Sequence, residues 1–214
     1  IINLGGMVGT DLPPTGAAMH MVFGRRGFFG YAVRPGGDTY WFSNFAQKEE
    51  PAREALVSGS DYRARLLTVH ENDPPEVRRV LEAVTREIGA WPVYDILSLP
   101  AWHRAGVSLL GDAAHAIGPH VGQGASLALE DAFVMAKCLR DIPDATQAFA
   151  TFEHVRRCRV EPIVTQSRRT GRQKAPSGWL GRKIRDAILP IFLQSSARAA
   201  MELYRYDVEA EQVL

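Results

Sequence analysis

Apolar and polar residues alternate with a period of two through the first part of the chain, and that period marks strands. Residues 1 to about 46 read as antiparallel strands. Residues 18–23 and 28–34 flank Gly24-Arg25-Arg26-Gly27, a hairpin signal, and 39–45 follows the turn Pro35-Gly36-Gly37-Asp38. The first of these strands puts Met19, Met21 and Phe23 on one face and His20 and Val22 on the other. The third puts Tyr40, Phe42 and Asn44 on one face and Trp41 and Phe45 on the other. Residues 47–90 then read as helical and polar-faced, with one helix over 61–69. A second opens at Pro74-Pro75-Glu76, where proline and an acid suit a first turn, and ends at Gly89. A strand is expected over 92–98, a turn over 100–106 and a short apolar strand over 107–110. The remainder reads as helices: 124–139, apolar nearly all round and so expected to be buried; 143–173; and, after a break at Pro176-Ser177-Gly178, 179–193 and 195–204.

The run Gly111-Asp112-Ala113-Ala114-His115-Ala116-Ile117-Gly118-Pro119-His120-Val121-Gly122-Gln123-Gly124-Ala125-Ser126 carries the candidate chemistry. It sets an apolar strand, an acid at its carboxyl end, a Gly/Pro loop and a helix start in series. An ionised Asp112 accepts hydrogen bonds from hydroxyl donors. The glycines let backbone approach a ligand closely, and the helix start at 122–125 offers unpaired N–H groups and a positive dipole end.

This run resembles the second flavin-binding motif of the FAD-dependent aromatic hydroxylases, the single-component flavoprotein monooxygenases. The pattern G-D-A-A-H, Pro, G-x-G and a helix with E-D-A is matched by residues 111–115, Pro119, Gly122-Gln123-Gly124 and Glu130-Asp131-Ala132. The resemblance implies FAD as cofactor, with NAD(P)H as reductant, O2 as co-substrate and an aromatic or polycyclic small molecule as the hydroxylated substrate. It assigns Asp112 to the ribityl chain and Pro119 to the loop beside the flavin ring. Gly122, Gln123, Gly124 and Ala125 fall at the ring's pyrimidine edge, where aimed donors stabilise the charge of the reduced ring. It places Met19, Met21, Gly30, Tyr40 and Phe42 on the side of the sheet facing a substrate chamber; the plainer reading makes each a core residue. No side chain is assigned as a catalytic nucleophile, acid or base, since the flavin carries the hard chemistry. The fold class implied is α/β (α+β): part of an FAD-binding domain, an antiparallel substrate-domain sheet and C-terminal helices. The division is 1–98 for the substrate domain, 99–140 for the flavin motif and 141–214 for the C-terminal helices.

The family's Gly-x-Gly-x-x-Gly fingerprint for the ADP half of FAD is not found; Gly5-Gly6-Met7-Val8-Gly9 has the wrong spacing. The chain therefore reads as the C-terminal portion of a larger enzyme, inactive and without tight FAD binding by itself. Other outcomes on the same scaffold are epoxidation, halogenation and dehydrogenation, and a rival class is a non-catalytic binding module that keeps the motif as a relic.

Composition adds bounds. At 214 residues, 46% hydrophobic and 23% charged, the chain can bury a core, and its net charge of +1 makes no case for nucleic acid. No apolar run reaches the length of a membrane span. Cys138 and Cys158 form no C-x-x-C, which suits a reducing, cytoplasmic compartment. His115, His120 and Asp112 match no metal-ligand spacing, so no metal is expected, and His115 reads as a packing and hydrogen-bonding residue. Gly124-Ala125-Ser126-Leu127-Ala128 is no nucleophile elbow; Ser126 reads as a helix-start hydroxyl bonding a free N–H. Glu130 and Asp131 read as anchors within an apolar helix, because adjacent helix positions do not face each other. The Arg/Lys-rich stretch 156–185 reads as a solvated helical face.

Overall fold

Strands β1 (Ile2–Gly9), β2 (His20–Phe23), β3 (Gly27–Val33), β4 (Asp38–Phe45) and β5 (Gly89–Pro92) pair as one antiparallel sheet in the order β2-β3-β4-β1-β5. They belong to a computed structural model that describes residues 1–47, 49, 62–86, 88–174 and 178–213, with backbone alone at 173, 178–180, 182 and 192–200. The chain divides into two units, residues 1–93 with 173–183 and residues 94–172 with 184–214.

In the first unit the hairpin β2–β3 forms as the alternation predicts, with Met21 opposite Gly30 and Phe23 opposite Phe28. Strand β4 continues the rows, so Gly30 stands opposite Phe42, and Phe42 opposite Gly5 of β1. Period-two alternation then separates the faces. Ile2, Leu4, Phe29, Tyr31, Val33, Trp41 and Phe45 pack with Tyr62 and Leu66 of α1 (Tyr62–Val69) and Val77, Val80 and Leu81 of α2 (Pro75–Ala83). Phe29 stacks on Trp41 with centroids 5.8 Å apart. The opposite face carries Met7, Met21, Tyr40, Phe42 and Phe28.

Two expectations are corrected here. Helix α2 stops at Ala83, capped by an extended Val84, and Gly89 instead opens β5. The strand expected over 92–98 lies earlier, at Gly89–Pro92, where it pairs with Ile2–Gly5 of β1. Proline is tolerated on an edge strand because no ladder N–H is needed on its open side, so Pro92 ends the strand rather than starting it. The helix expected over 61–69 is found over Tyr62–Val69, and Asp61 lies outside the described residues.

A buried clasp ties this unit together. His70 shares hydrogen bonds with Ser43 Oγ through Nε2 (2.8 Å) and with Asp73 Oδ2 through Nδ1 (2.6 Å). A carboxylate only accepts, so Nδ1 donates to it. The order Ser-His-Asp resembles a hydrolase triad, but Ser43 is wholly buried beneath the sheet, which makes the group a clasp between β4 and the turn after α1. Asp73→Ala strands the His70 N–H inside the core and is expected to cost about 1–3 kcal/mol. A urea midpoint unchanged from wild type would contradict this.

In the second unit, β6 (His103–Arg104) and β7 (Val107–Ser108) form a short hairpin turned by Ala105 and Gly106, both at positive φ (49° and 81°). The expected strand 107–110 is thus only two residues long. Helices α3 (Asp112–His115), α4 (Gly124–Asp141) and α5 (Ala145–Lys174) follow. Helix α4 buries Leu127, Asp131, Val134, Met135 and Cys138, a stripe at helical spacing, against Ala148, Phe152, Val160, Ile163 and Val164 of α5 and against Trp102. It is not buried all round: Leu129 is 74% exposed and Leu139 50%. Helix α6 (Gly178–Tyr204) is continuous where two helices were expected, with Pro190 inside it. The break expected at Pro176-Ser177-Gly178 falls at 176 and 177 outside the described residues.

Candidate functional site

The loop 111–125 is anchored to α4 and α5 by a buried charge network. Gly111 adopts φ 54°, a conformation that favours glycine, and its amide donates to Asp131 Oδ2 at 2.8 Å. His115 Nε2 donates to the same oxygen at 2.7 Å. The other Asp131 oxygen accepts from Arg156 Nε at 2.7 Å, and Arg156 Nη2 donates to Glu130 Oε2 at 2.8 Å. Arg159 Nη2 closes on Glu130 Oε1 at 3.1 Å and lies over the Tyr206 ring. Asp131 and Arg156 are completely buried. Burial pushes the Asp131 carboxyl up, but bonds from His115, the Gly111 amide and Arg156 outweigh it and hold it below the ordinary value. Burial likewise pushes Arg156 down, and its two carboxylates more than reverse that. Burial and its O–H bond to Glu211 push Tyr206 up to about 12.

Further ties hold the flanks. Glu153 accepts from the Trp102 amide (2.9 Å) and His103 Nδ1 (2.7 Å), and Arg157 bridges Glu153, Glu161 and the Leu99 carbonyl. Ser167 Oγ donates to the Gly118 carbonyl at 2.7 Å, pinning the middle of the loop, and the Ile96 amide donates to the Ala116 carbonyl.

Against this rigid back the loop presents an open front. Asp112, Pro119, Gly122 and Ala125 are exposed, and Gly124 is half-buried. Asp112 opens the turn of α3 rather than ending a strand, because β7 stops at Ser108. Gly122 sits at φ 66° with nothing within 4 Å of where a Cβ would stand. Helix α4 starts behind it with no side-chain cap, so its first N–H groups keep no side-chain acceptor. Ser126, expected to supply such a bond, is exposed in the first turn and does not. Gln123 is 2% exposed, and its Nε2 has no hydrogen-bond partner among the described residues. Free helix N–H groups, an unsatisfied amide and a positive dipole end suit an electron-rich, oxygen-bearing ring edge.

The five residues expected on a substrate face are gathered by the first unit. Met21, Gly30 and Phe42 occupy one cross-strand row, Tyr40 lies beside Phe42 (centroids 6.1 Å), and Met19 precedes β2. A Cβ on Gly30 would come within 2.4 Å of the Phe42 ring, so the ring occupies the space that a larger residue at 30 would fill. Met19, Met21 and Tyr40 are each at least 40% exposed, so these are not plain core positions. A cleft of about 630 Å³ in the same unit runs elsewhere, along Gly5–Gly9, Trp41 and Arg86.

One assignment for the basic stretch is corrected. Arg156 is not on a solvated face but fully buried, and Arg157 and Arg159 are mostly so. The signal was present in the sequence: two acids inside an apolar helix need cations, and Arg156 and Arg159, three apart, share one helix face. Among the described residues no cluster of three His, Cys, Asp or Glu could hold a metal, and no helix is long and apolar enough to cross a membrane.

A family described as an FAD binding domain matches residues 3–167. The chain belongs to the FAD-dependent aromatic hydroxylases. The chain is 30% identical over 161 residues to the aurachin C monooxygenase/isomerase of Stigmatella aurantiaca, covering 73% of the chain and 41% of that protein. Its fold matches a salicylate hydroxylase substrate complex with a TM-score of 0.76 at 22% identity, over 98% of the chain and 55% of that structure. It also matches Klebsiella pneumoniae HpxO complexed with FAD and uric acid, with a TM-score of 0.71 at 22% identity, over 94% and 51%. The chain thus spans about half the length of the relatives it matches.

Proposed function

We propose that loop 111–125 holds the isoalloxazine and ribityl parts of FAD in a monooxygenase that uses NAD(P)H and O2 to hydroxylate an aromatic or polycyclic small molecule. The observation that carries this is the open front of the loop: exposed Asp112, left-handed Gly122 and an uncapped α4 with the Gln123 amide unsatisfied behind it. These residues fit a flavin. Asp112 would accept from ribityl hydroxyls. The amides at 122–125 would face the pyrimidine edge, and Pro119 would shape the loop beside the ring. Bound there, the flavin would supply the redox chemistry of a monooxygenase, in which NAD(P)H is the reductant, one oxygen atom of O2 goes to the substrate ring and the other leaves as water.

The chain's own part is electrostatic and positional. Donors aimed at the pyrimidine edge favour negative charge on a reduced ring, and they need no reorganisation when it forms. The Asp131–Arg156 network keeps them in place. Met19, Met21, Gly30, Tyr40 and Phe42 would hold the aromatic substrate by apolar contact, with no side-chain nucleophile required. In this reading residues 1–98 serve the substrate, 99–140 the flavin and 141–214 the support, and the two unpaired cysteines suit a cytoplasmic setting.

Asp112→Ala is expected to weaken FAD binding about tenfold, the worth of a charge-assisted hydrogen bond, measured by flavin fluorescence titration. Equal affinity would remove Asp112 from the role. For the activity, measured on a protein that joins this chain to a dinucleotide-binding part, substrate-dependent NAD(P)H consumption with matching hydroxylated product is expected. Reduction that yields only hydrogen peroxide with every aromatic tried would favour a dehydrogenase or oxidase outcome.

A further inference from the structure

Lys174, at the end of α5, belongs with the first unit and lies against the open side of its sheet. Its Nζ stands 4.4 Å from the centre of the Phe28 ring. Phe28 is on the face opposite the α1–α2 core, in ring contact with Phe23 (4.9 Å) and Phe42 (5.9 Å), and Phe42 in turn neighbours Tyr40. Among the described residues Lys174 has no carboxylate partner. Burial alone pushes its ammonium down to about 8.

An ammonium buried without a counter-charge is costly. The face of a phenyl ring returns only part of that cost. A methionine would fill the same space over Phe28 with no such penalty, so the stem's packing alone does not call for a lysine. Among the described residues no anion faces the site, and the surface beside it is aromatic and thioether-rich.

We propose that Lys174 is a specificity-determining residue that supplies the counter-charge for a carboxylate or phenolate carried by an aromatic substrate lying on Phe42 and Tyr40. This rests on the reading of that face as the substrate surface. A bound anion would relieve the unpaired ammonium, while a neutral analogue of the same shape would leave it unpaired, so discrimination arises from charge rather than size.

The test is equilibrium binding of benzoate and of benzamide to the purified 214-residue chain, with circular dichroism confirming the fold of each variant. Wild type is expected to prefer benzoate by about tenfold. Lys174→Met should abolish the preference while benzamide affinity stays level, and Lys174→Arg should restore most of it. Equal binding of both probes by wild type, or a preference that survives in Lys174→Met, overturns the role of Lys174. If binding of both is then lost in Phe42→Ala, the substrate face itself stands. Binding of neither probe overturns the face and the lysine together.

Discussion

Replacing Arg156 by methionine is expected to destabilise the protein by about 3–5 kcal/mol, the usual effect of removing one partner of a buried ion pair. Arg156 is wholly buried and neutralises Asp131 and Glu130 together. Methionine keeps much of the volume but leaves the Asp131 carboxylate enclosed with only His115 and the Gly111 amide. The same carboxylate orients Gly111 and His115, so the loop at 111–125 should loosen as well as the α4–α5 packing. The pH dependence follows from the direction of the Asp131 shift. Its carboxyl is held below the ordinary value in the folded chain, so its contribution is fully present above the ordinary carboxylate range and is lost as pH falls through the lowered value. In the Arg156→Met variant burial is less opposed, and acid unfolding should begin at higher pH than in wild type. Urea midpoints at neutral and mildly acid pH measure both effects. Arg140, paired with Asp141 on the surface and 68% exposed, is the control: Arg140→Ala should leave the midpoint unchanged. An Arg156→Met midpoint equal to that control would mean the network does not support the fold.

Gly122→Val is expected to abolish most flavin binding, by tenfold or more, while costing only about 1–2 kcal/mol of stability. Two effects act together. A β-branched residue is strained at φ 66°, where glycine is not. Its side chain would also project into the open space in front of α4, where nothing now lies within 4 Å. The free chain therefore has room for the valine and should fold, which separates this variant from Arg156→Met. A flavin titration gives the binding and a melting curve gives the fold. Wild-type affinity in the folded variant would place the ring away from Gly122.

Local patterns in the sequence were strong guides where the structure is local. The β2–β3 hairpin and β4 follow from period-two alternation broken by glycine turns, and the start of α2 from Pro74-Pro75-Glu76. The loop from Gly111 to α4 was legible as a composite of fixed spacings, and the structure gives it an open front and a rigid back. Pairing partners were less legible. Alternation says which residues share a face but not that β1 lies between β4 and β5, so the edge strand was placed a few residues too late. A glycine can end a helix or open a strand, and Gly89 does the second. The buried role of Arg156 was missed because a run rich in arginine ordinarily faces water. Its burial is set by Glu130 and Asp131 on another helix, a tertiary demand that no window along α5 contains.

The central claim is that the loop from Gly111 to Ala125 holds the ring and ribityl parts of a flavin. The most direct measurement is an equilibrium titration of FAD with the purified chain, followed by flavin fluorescence and run beside Gly122→Val. The account predicts a saturable change for wild type, at micromolar affinity or weaker (a Kd of about 1 µM corresponds to roughly 8 kcal/mol), and a curve displaced tenfold or more in the variant. No saturable change for wild type, or superimposable curves for the two proteins, would contradict it.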